Sequence, residues 1–240
     1  GQVDLAAARP QARHVALGLA IRRLNVSETF LQTAAHPDDE HNALYAMFTL
    51  GQGLRSIDVQ TTRGAGGQNE IGPELFQDMA VLRTSELLAA HRLDGAEQWF
   101  TRAIDYGYSF SPPEIYEKWG KQEVIGDFVR FIRTFRPEVV LTMNVQGRGG
   151  DRAHEATAVL TREAFRAAAD PAQFPEQIGE GLRPWQSKKL YFTAGFGGGG
   201  AAGPGAPPAG GGRGAGAQPP TPPAPPPGVK VATINTAIYD

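Results

Sequence analysis

A chain of 240 residues is long enough for one domain with a sizeable core, or for one domain and an appendage. Its 23 basic and 25 acidic residues nearly cancel, to a formal net charge of -2 with no run of like charge, which argues against nucleic acid or an anionic membrane surface as partner. With no cysteine, any metal must be held by His, Asp or Glu, and no apolar run reaches the length of a transmembrane segment.

Residues 11–24 carry Leu17, Ile21 and Leu24 at helical spacing and predict an amphipathic helix, with His14 on its surface. A strand-like run from Phe30 to Ala35 follows. It delivers the string Ala35-His36-Pro37-Asp38-Asp39-Glu40-His41 to a turn before a helical pattern at Leu44, Met47 and Phe48. A His and an Asp three residues apart can face one metal ion across a turn, leaving Asp38 free to handle a proton. The bland alternative is a helix start with Asp38 as N-cap, which gives no reason for His36-Pro37 in front of it.

Gly51-Gln52-Gly53 stops that helix, and Ser56 to Thr62 predicts a second strand; strand, helix, strand is a parallel-sheet signature. The second strand runs into Arg63-Gly64-Ala65-Gly66-Gly67-Gln68-Asn69-Glu70. These glycines do not have the spacing or position of a dinucleotide fingerprint, so the loop is read as a backbone wall of the crevice at the strands' carboxyl ends. Gly66 and Gln68 are its candidate substrate contacts. Residues 74–93 predict a long helix with Leu75, Met79 and Leu82 on one face; Arg83 and Glu86 are spaced to pair on its surface, and His91 is expected to complement the helix dipole or to be solvated.

Gln98 to Ala103 predicts a third strand, with Asp105 just beyond its carboxyl end, where an acid suits hydrogen bonding to sugar hydroxyls. Val124, Phe128, Phe131, Ile132 and Phe135 form the cleanest helical stripe, ended by Arg136-Pro137, and Glu138 to Val145 follows as an apolar strand. Then comes Asp151-Arg152-Ala153-His154-Glu155, opening a helix with Val159, Leu160, Ala164 and Phe165. It places a second His at the sheet edge expected for His36, with Asp151 able to cap the amide of His154. Lys189 to Thr193 predicts one more strand.

Gly and Pro dominate residues 195–228, which cannot bury enough apolar surface to offset their ordering entropy. The expected organisation is a domain over 1–194, a mobile insertion or linker over 195–228, and a strand-like segment over 229–240 that returns to the domain or leads to a missing region. The first residues show no secretion signal pattern; a signal removed before Gly1 would place the protein in a secreted or periplasmic setting.

The string Ala35 to Glu40, with His154 opening a later helix, resembles the PIG-L/LmbE-like family of zinc-dependent N-deacetylases acting on N-acetylglucosamine-type groups. The resemblance covers most of residues 27–169. It implies an α/β, Rossmann-like three-layer fold with a mostly parallel central sheet and helices on both faces. It also implies one Zn2+ held by His36, Asp39 and His154, Asp38 as general base, and Arg83 and Asp105 as contacts to sugar hydroxyls. The family often has H-P-D-H at the second motif, its first His assisting the oxyanion or protonating the amine. Asp151 stands in that place here, so Asp38 is expected to act as both base and acid, with Asp151 orienting His154 or capping its helix. The expected activity is hydrolysis of an N-acetylated amino sugar or glycoconjugate. The alternatives are a metal-dependent hydrolase of another amide or ester, and a carbohydrate-binding module that keeps the metal without turnover.

Overall fold

The computed structural model describes residues 13–67, 69, 72–145, 151–193 and 232. Five strands, β1 (Thr29–Ala34), β2 (Arg55–Gln60), β3 (Glu97–Phe100), β4 (Val139–Thr142) and β5 (Lys189–Phe192), form one sheet in the order β3-β2-β1-β4-β5. Every pairing is parallel. The helices are α1 (Arg13–Leu24), α2 (Asn42–Tyr45, continuing as wider π-helical turns over Ala46–Gln52), α3 (Gln77–Asp94), α4 (Pro112–Trp119), α5 (Lys121–Phe135), α6 (Ala153–Ala167) and α7 (Pro175–Gly179). The predicted α/β, Rossmann-like architecture is what forms. The sequence did not announce α4 or α7, whose apolar residues are too few to set a period. The expected segment 195–228, and 229–240 apart from Ala232, lie outside the described residues.

Alternation along the strands sorts side chains to two faces. Leu31, Ile57, Val59 and Val140 meet Val124, Phe128 and Ile132 of α5 and Leu160 and Ala164 of α6. On the other face Phe30 and Leu141 meet Tyr45, with Leu44 and Phe48 packed beside them. Burying one such side chain contributes about 1.5–3 kcal/mol. The stripe of α5 therefore decides its seating far more than exposed pairs such as Arg102 with Asp127, which contribute about 1 kcal/mol or less.

α6 is fixed by polar groups as well. The Thr33 hydroxyl meets those of Thr142 (2.7 Å) and Thr161 (2.8 Å), and Thr61 meets Thr157 (2.9 Å), so two turns of α6 are pinned beneath the carboxyl ends of β1, β2 and β4. At the helix's far end, buried Arg133 donates to the carbonyls of Ala167, Ala168 and Asp170, satisfying groups that a helix end leaves open.

Two expected helix faces differ from those observed. Leu17, Ile21 and Leu24 of α1 are exposed, and so are Leu75 and Leu82 near and within α3. The face that α3 turns inward runs through Met79, Leu87, His91 and Asp94, with Arg83 largely covered on the same side. Of the expected α3 face, Met79 is buried but Leu75 and Leu82 are not, because part of the buried face is charged. His91 is neither solvated nor a surface cation; it is 4% exposed. Its Nδ1 lies 3.0 Å from Asp94, and its Nε2 lies 3.4 Å from Asp58 and 2.9 Å from Gln98. Tyr45 donates to Asp58 and Asn42 to Asp94, so the cluster ties α3 to β2 and to the helix that follows the first motif.

Burial opposes the charge on His91, but the hydrogen bonds to Asp58 and Asp94 outweigh it and push the pKa up to about 10, from an ordinary 6.5. A raised folded-state pKa contributes stability that is complete below pH 6.5 and is lost as the pH climbs to about 10. His91→Gln is therefore expected to cost about 3–5 kcal/mol at pH 6, the range for breaking a buried pair, and clearly less at pH 10. Denaturant unfolding at the two pH values checks this; an equal cost at both would contradict it.

Candidate active site

The sheet order reverses between β1 and β4, which lie side by side and end at the same edge. In a parallel sheet that switch point opens a crevice beyond the carboxyl ends of the strands. Both motifs fall there, one after each strand.

β1 leads through buried Ala35, His36 and Pro37 into a tight turn in which the Asp39 amide donates to the His36 carbonyl at 3.2 Å. Proline at the second position and a positive φ at the third, +98° at Asp38, are features of a type II turn, and they account for Pro37. Asp is among the few residues that tolerate such a φ. The turn delays the helix: α2 begins at Asn42, so Asp38 is not its N-cap, and the Asp38 amide donates instead to Glu40 Oε2 at 2.8 Å.

Asp39 is the centre of the cluster. Its Oδ2 accepts from the His36 amide at 3.0 Å and lies 3.5 Å from His36 Nδ1, while its Oδ1 lies 3.3 Å from His154 Nε2. The imidazoles of His36 and His154 meet edge to face, with centroids 5.3 Å apart. One ligand atom from each of His36, Asp39 and His154 falls within 4.8 Å of the others, a spread that one metal ion can bridge. Burial pushes the Asp39 carboxyl up, but hydrogen bonds from His154 and His36 hold it well below the usual carboxylate range. Burial likewise opposes the charge on His154, and Asp39 pushes its pKa up to about 9. His154 Nδ1 lies 3.3 Å from the Asp151 carbonyl, which can only accept, so Nδ1 carries a proton and Nε2 is the ring nitrogen turned to Asp39.

The Asp151 side chain does not cap the His154 amide. Its Oδ1 accepts from the amides of Ala153 (3.0 Å) and Ser109 (3.2 Å), and its Oδ2 stands 3.9 Å from His36 Nε2. One carboxylate therefore joins the start of α6 to the loop after β3 and faces the first motif. Asp105 does similar work a few residues earlier: its oxygens accept from the amides of Gly66 and Gly107, and only 7% of the residue is exposed. A Cβ at Gly66 would strike the Tyr106–Gly107 backbone, so glycine there lets the two loops close on one another.

Arg83 reaches back from α3 to the first motif. Its guanidinium donates to the carbonyls of Pro37 and Gly64 and pairs with Asp38 at 3.0 Å, so its partner is not Glu86. Gln68 lies outside the described residues. Sequence reasoning missed Ser109, which acts through its backbone and carries no motif, and the tilted aromatic pair Tyr108 and Phe110 flanking it.

Asp151→Ala would leave the amides of Ser109 and Ala153 without their acceptor and is expected to cost about 1–3 kcal/mol. Asp151→Asn keeps Oδ1 and is expected to cost less; thermal unfolding of both variants checks the difference.

A 1D-myo-inositol 2-acetamido-2-deoxy-alpha-D-glucopyranoside deacetylase from Frankia alni is 32% identical over 179 residues, covering 67% of this chain and 60% of that protein. A mycothiol S-conjugate amidase from Streptomyces coelicolor is 28% identical over 176 residues, covering 68% and 59%. The chain thus spans about three-fifths of the length of these curated relatives. Among solved structures, the N,N'-diacetylchitobiose deacetylase from Pyrococcus horikoshii superposes with a TM-score of 0.55 at 19% identity, covering 78% of this chain and 67% of that one. GalB, a 4-carboxy-2-hydroxymuconate hydratase from Pseudomonas putida, reaches 0.54 at 18%, covering 68% and 64%. These two likenesses establish the fold alone. Residues 31–165, which contain both motifs and the sheet's switch point, match the PIG-L family described as GlcNAc-PI de-N-acetylase, and the chain belongs to that family.

Proposed function

We propose that this chain removes the acetyl group from an N-acetylglucosamine-type sugar or glycoconjugate, with a zinc ion held by His36, Asp39 and His154. The observation that carries the reading is the convergence of those three ligand atoms within 4.8 Å at the switch-point crevice, one residue from Asp38. Two imidazoles and a carboxylate suit zinc, and the cysteine-free chain offers only nitrogen and oxygen donors of this kind. The named activities of the Frankia and Streptomyces relatives, an acetamido-sugar deacetylase and an amidase, support the same bond as the target.

A cation at this position supplies Lewis acidity, which makes water a nucleophile near neutral pH and offsets negative charge on the acyl oxygen. Asp38 is the general base: its carboxylate takes the proton of the attacking water and returns it to the departing amine. The Asp38 side chain is 78% exposed, so water reaches its carboxylate. Asp151, with Oδ1 committed to two amides, orients the first motif through His36 and leaves both proton transfers to Asp38. The wall made by Gly66 and held by Asp105 is the face offered to the sugar. A hydrolase of another amide is the second reading, favoured by the amidase relative.

Acetate release from N-acetylglucosamine-containing substrates is expected to stop when the metal is chelated and to return with zinc. Asp38→Asn is expected to lower kcat by about 10²–10⁴-fold, the worth of a general base, while retaining metal. Activity that survives chelation defeats the metal-dependent reading; bound zinc without release from any acetamido sugar favours the second.

A further inference from the structure

We propose that Arg83 is a positioning residue for Asp38, and that glycine at 64 and 67 serves to seat its guanidinium; the assignment rests on Asp38 being the base of the deacetylase reading. Asp38 sits at φ +98°, a backbone state that costs a non-glycine residue about 1–3 kcal/mol and persists only where its surroundings enforce it. The surroundings here are two charged side chains. Glu40 takes the Asp38 amide at 2.8 Å, and Arg83 takes both the carbonyl before it, at Pro37, and its carboxylate at 3.0 Å. Arg83 therefore holds the turn from its backbone side and from its side chain at once.

The arginine is itself enclosed. Only 18% of its side chain is exposed, against 78% for Asp38, so it is the buried member of the pair and the fixed one. A Cβ at Gly64 would run into the guanidinium, and one at Gly67 would come within 2.7 Å of its Nη1. These two glycines make room for Arg83, whereas Gly66, in the same loop, makes room for the backbone of Gly107. Gly64 also needs glycine for its φ of +69°, but no positive φ accompanies Gly67. Alanine at 67 therefore introduces bulk without a positive φ, pressing on the guanidinium at 2.7 Å and on the Gly64 carbonyl at 3.1 Å.

Three single variants, one double variant and two measurements test this. Exchange of the Asp38 amide with solvent, followed by NMR on the metal-free protein, is expected to quicken about tenfold or more in Arg83→Ala and to a smaller extent in Gly67→Ala. Unchanged exchange in Arg83→Ala overturns the proposal, whether or not the protein releases acetate. In steady-state acetate release, Arg83→Ala is expected to lower kcat by about 10²-fold, the cost of misplacing a catalytic group by an ångström. KM is expected to stay within about twofold, and Arg83→Lys, which keeps a cation, to recover part of the loss. Gly67→Ala is expected to lower kcat on its own and to add nothing to Arg83→Ala. A rise in KM with kcat preserved would make Arg83 a sugar contact, and additive losses would separate Gly67 from it; either result overturns the proposal. A wild-type protein that releases no acetate defeats the deacetylase reading, a result distinct from the exchange measurement.

Discussion

The parallel pairing of β1 with β4 is the constraint on which the site depends. Because the sheet runs outward in both directions from that pair, no connection among the described residues crosses the edge where the two strands end, which is where a switch point opens a crevice. The first motif leaves β1 and the second follows β4, so residues far apart in the chain reach one carboxylate. Asp39 then gathers an imidazole from each side, and its charge is desolvated but doubly hydrogen-bonded.

Carboxylates also hold the walls of the crevice in place. Asp105 closes the loop after β2 on the loop after β3, and Asp151 closes the loop after β3 on the start of α6. Each accepts two backbone amides, which needs several lone pairs in one small group. An imidazole in place of Asp151 could not accept from both amides, so the departure from the H-P-D-H pattern has a structural use.

Beneath these walls, polar groups substitute for apolar packing. α3 faces the sheet partly through His91 and Asp94, and through Arg83 it reaches the turn at Asp38. α6 meets the sheet through Thr157 and Thr161 as well as Leu160. Such contacts specify one placement, because each donor must find its acceptor at about 3 Å, whereas an apolar face tolerates sliding. A site built from three separate loops benefits from that rigidity.

Much of this was legible in the sequence. The string His36 to Glu40 after an apolar strand announced a polar turn at a sheet edge. The stripe of α5 announced its core face, and His154 announced a partner for the first motif. These signals are local: composition, period and spacing report what a short segment prefers. The inward face of α3 was not legible, since buried charge has no period of its own, and the partners of Asp105, Asp151 and Arg83 were hidden because backbone amides and carbonyls carry no residue identity. The sequence by itself determined the fold class and the chemical inventory of the site. Only the tertiary structure decided which groups meet, because strand order brings distant loops together and burial then settles which charges must be paired.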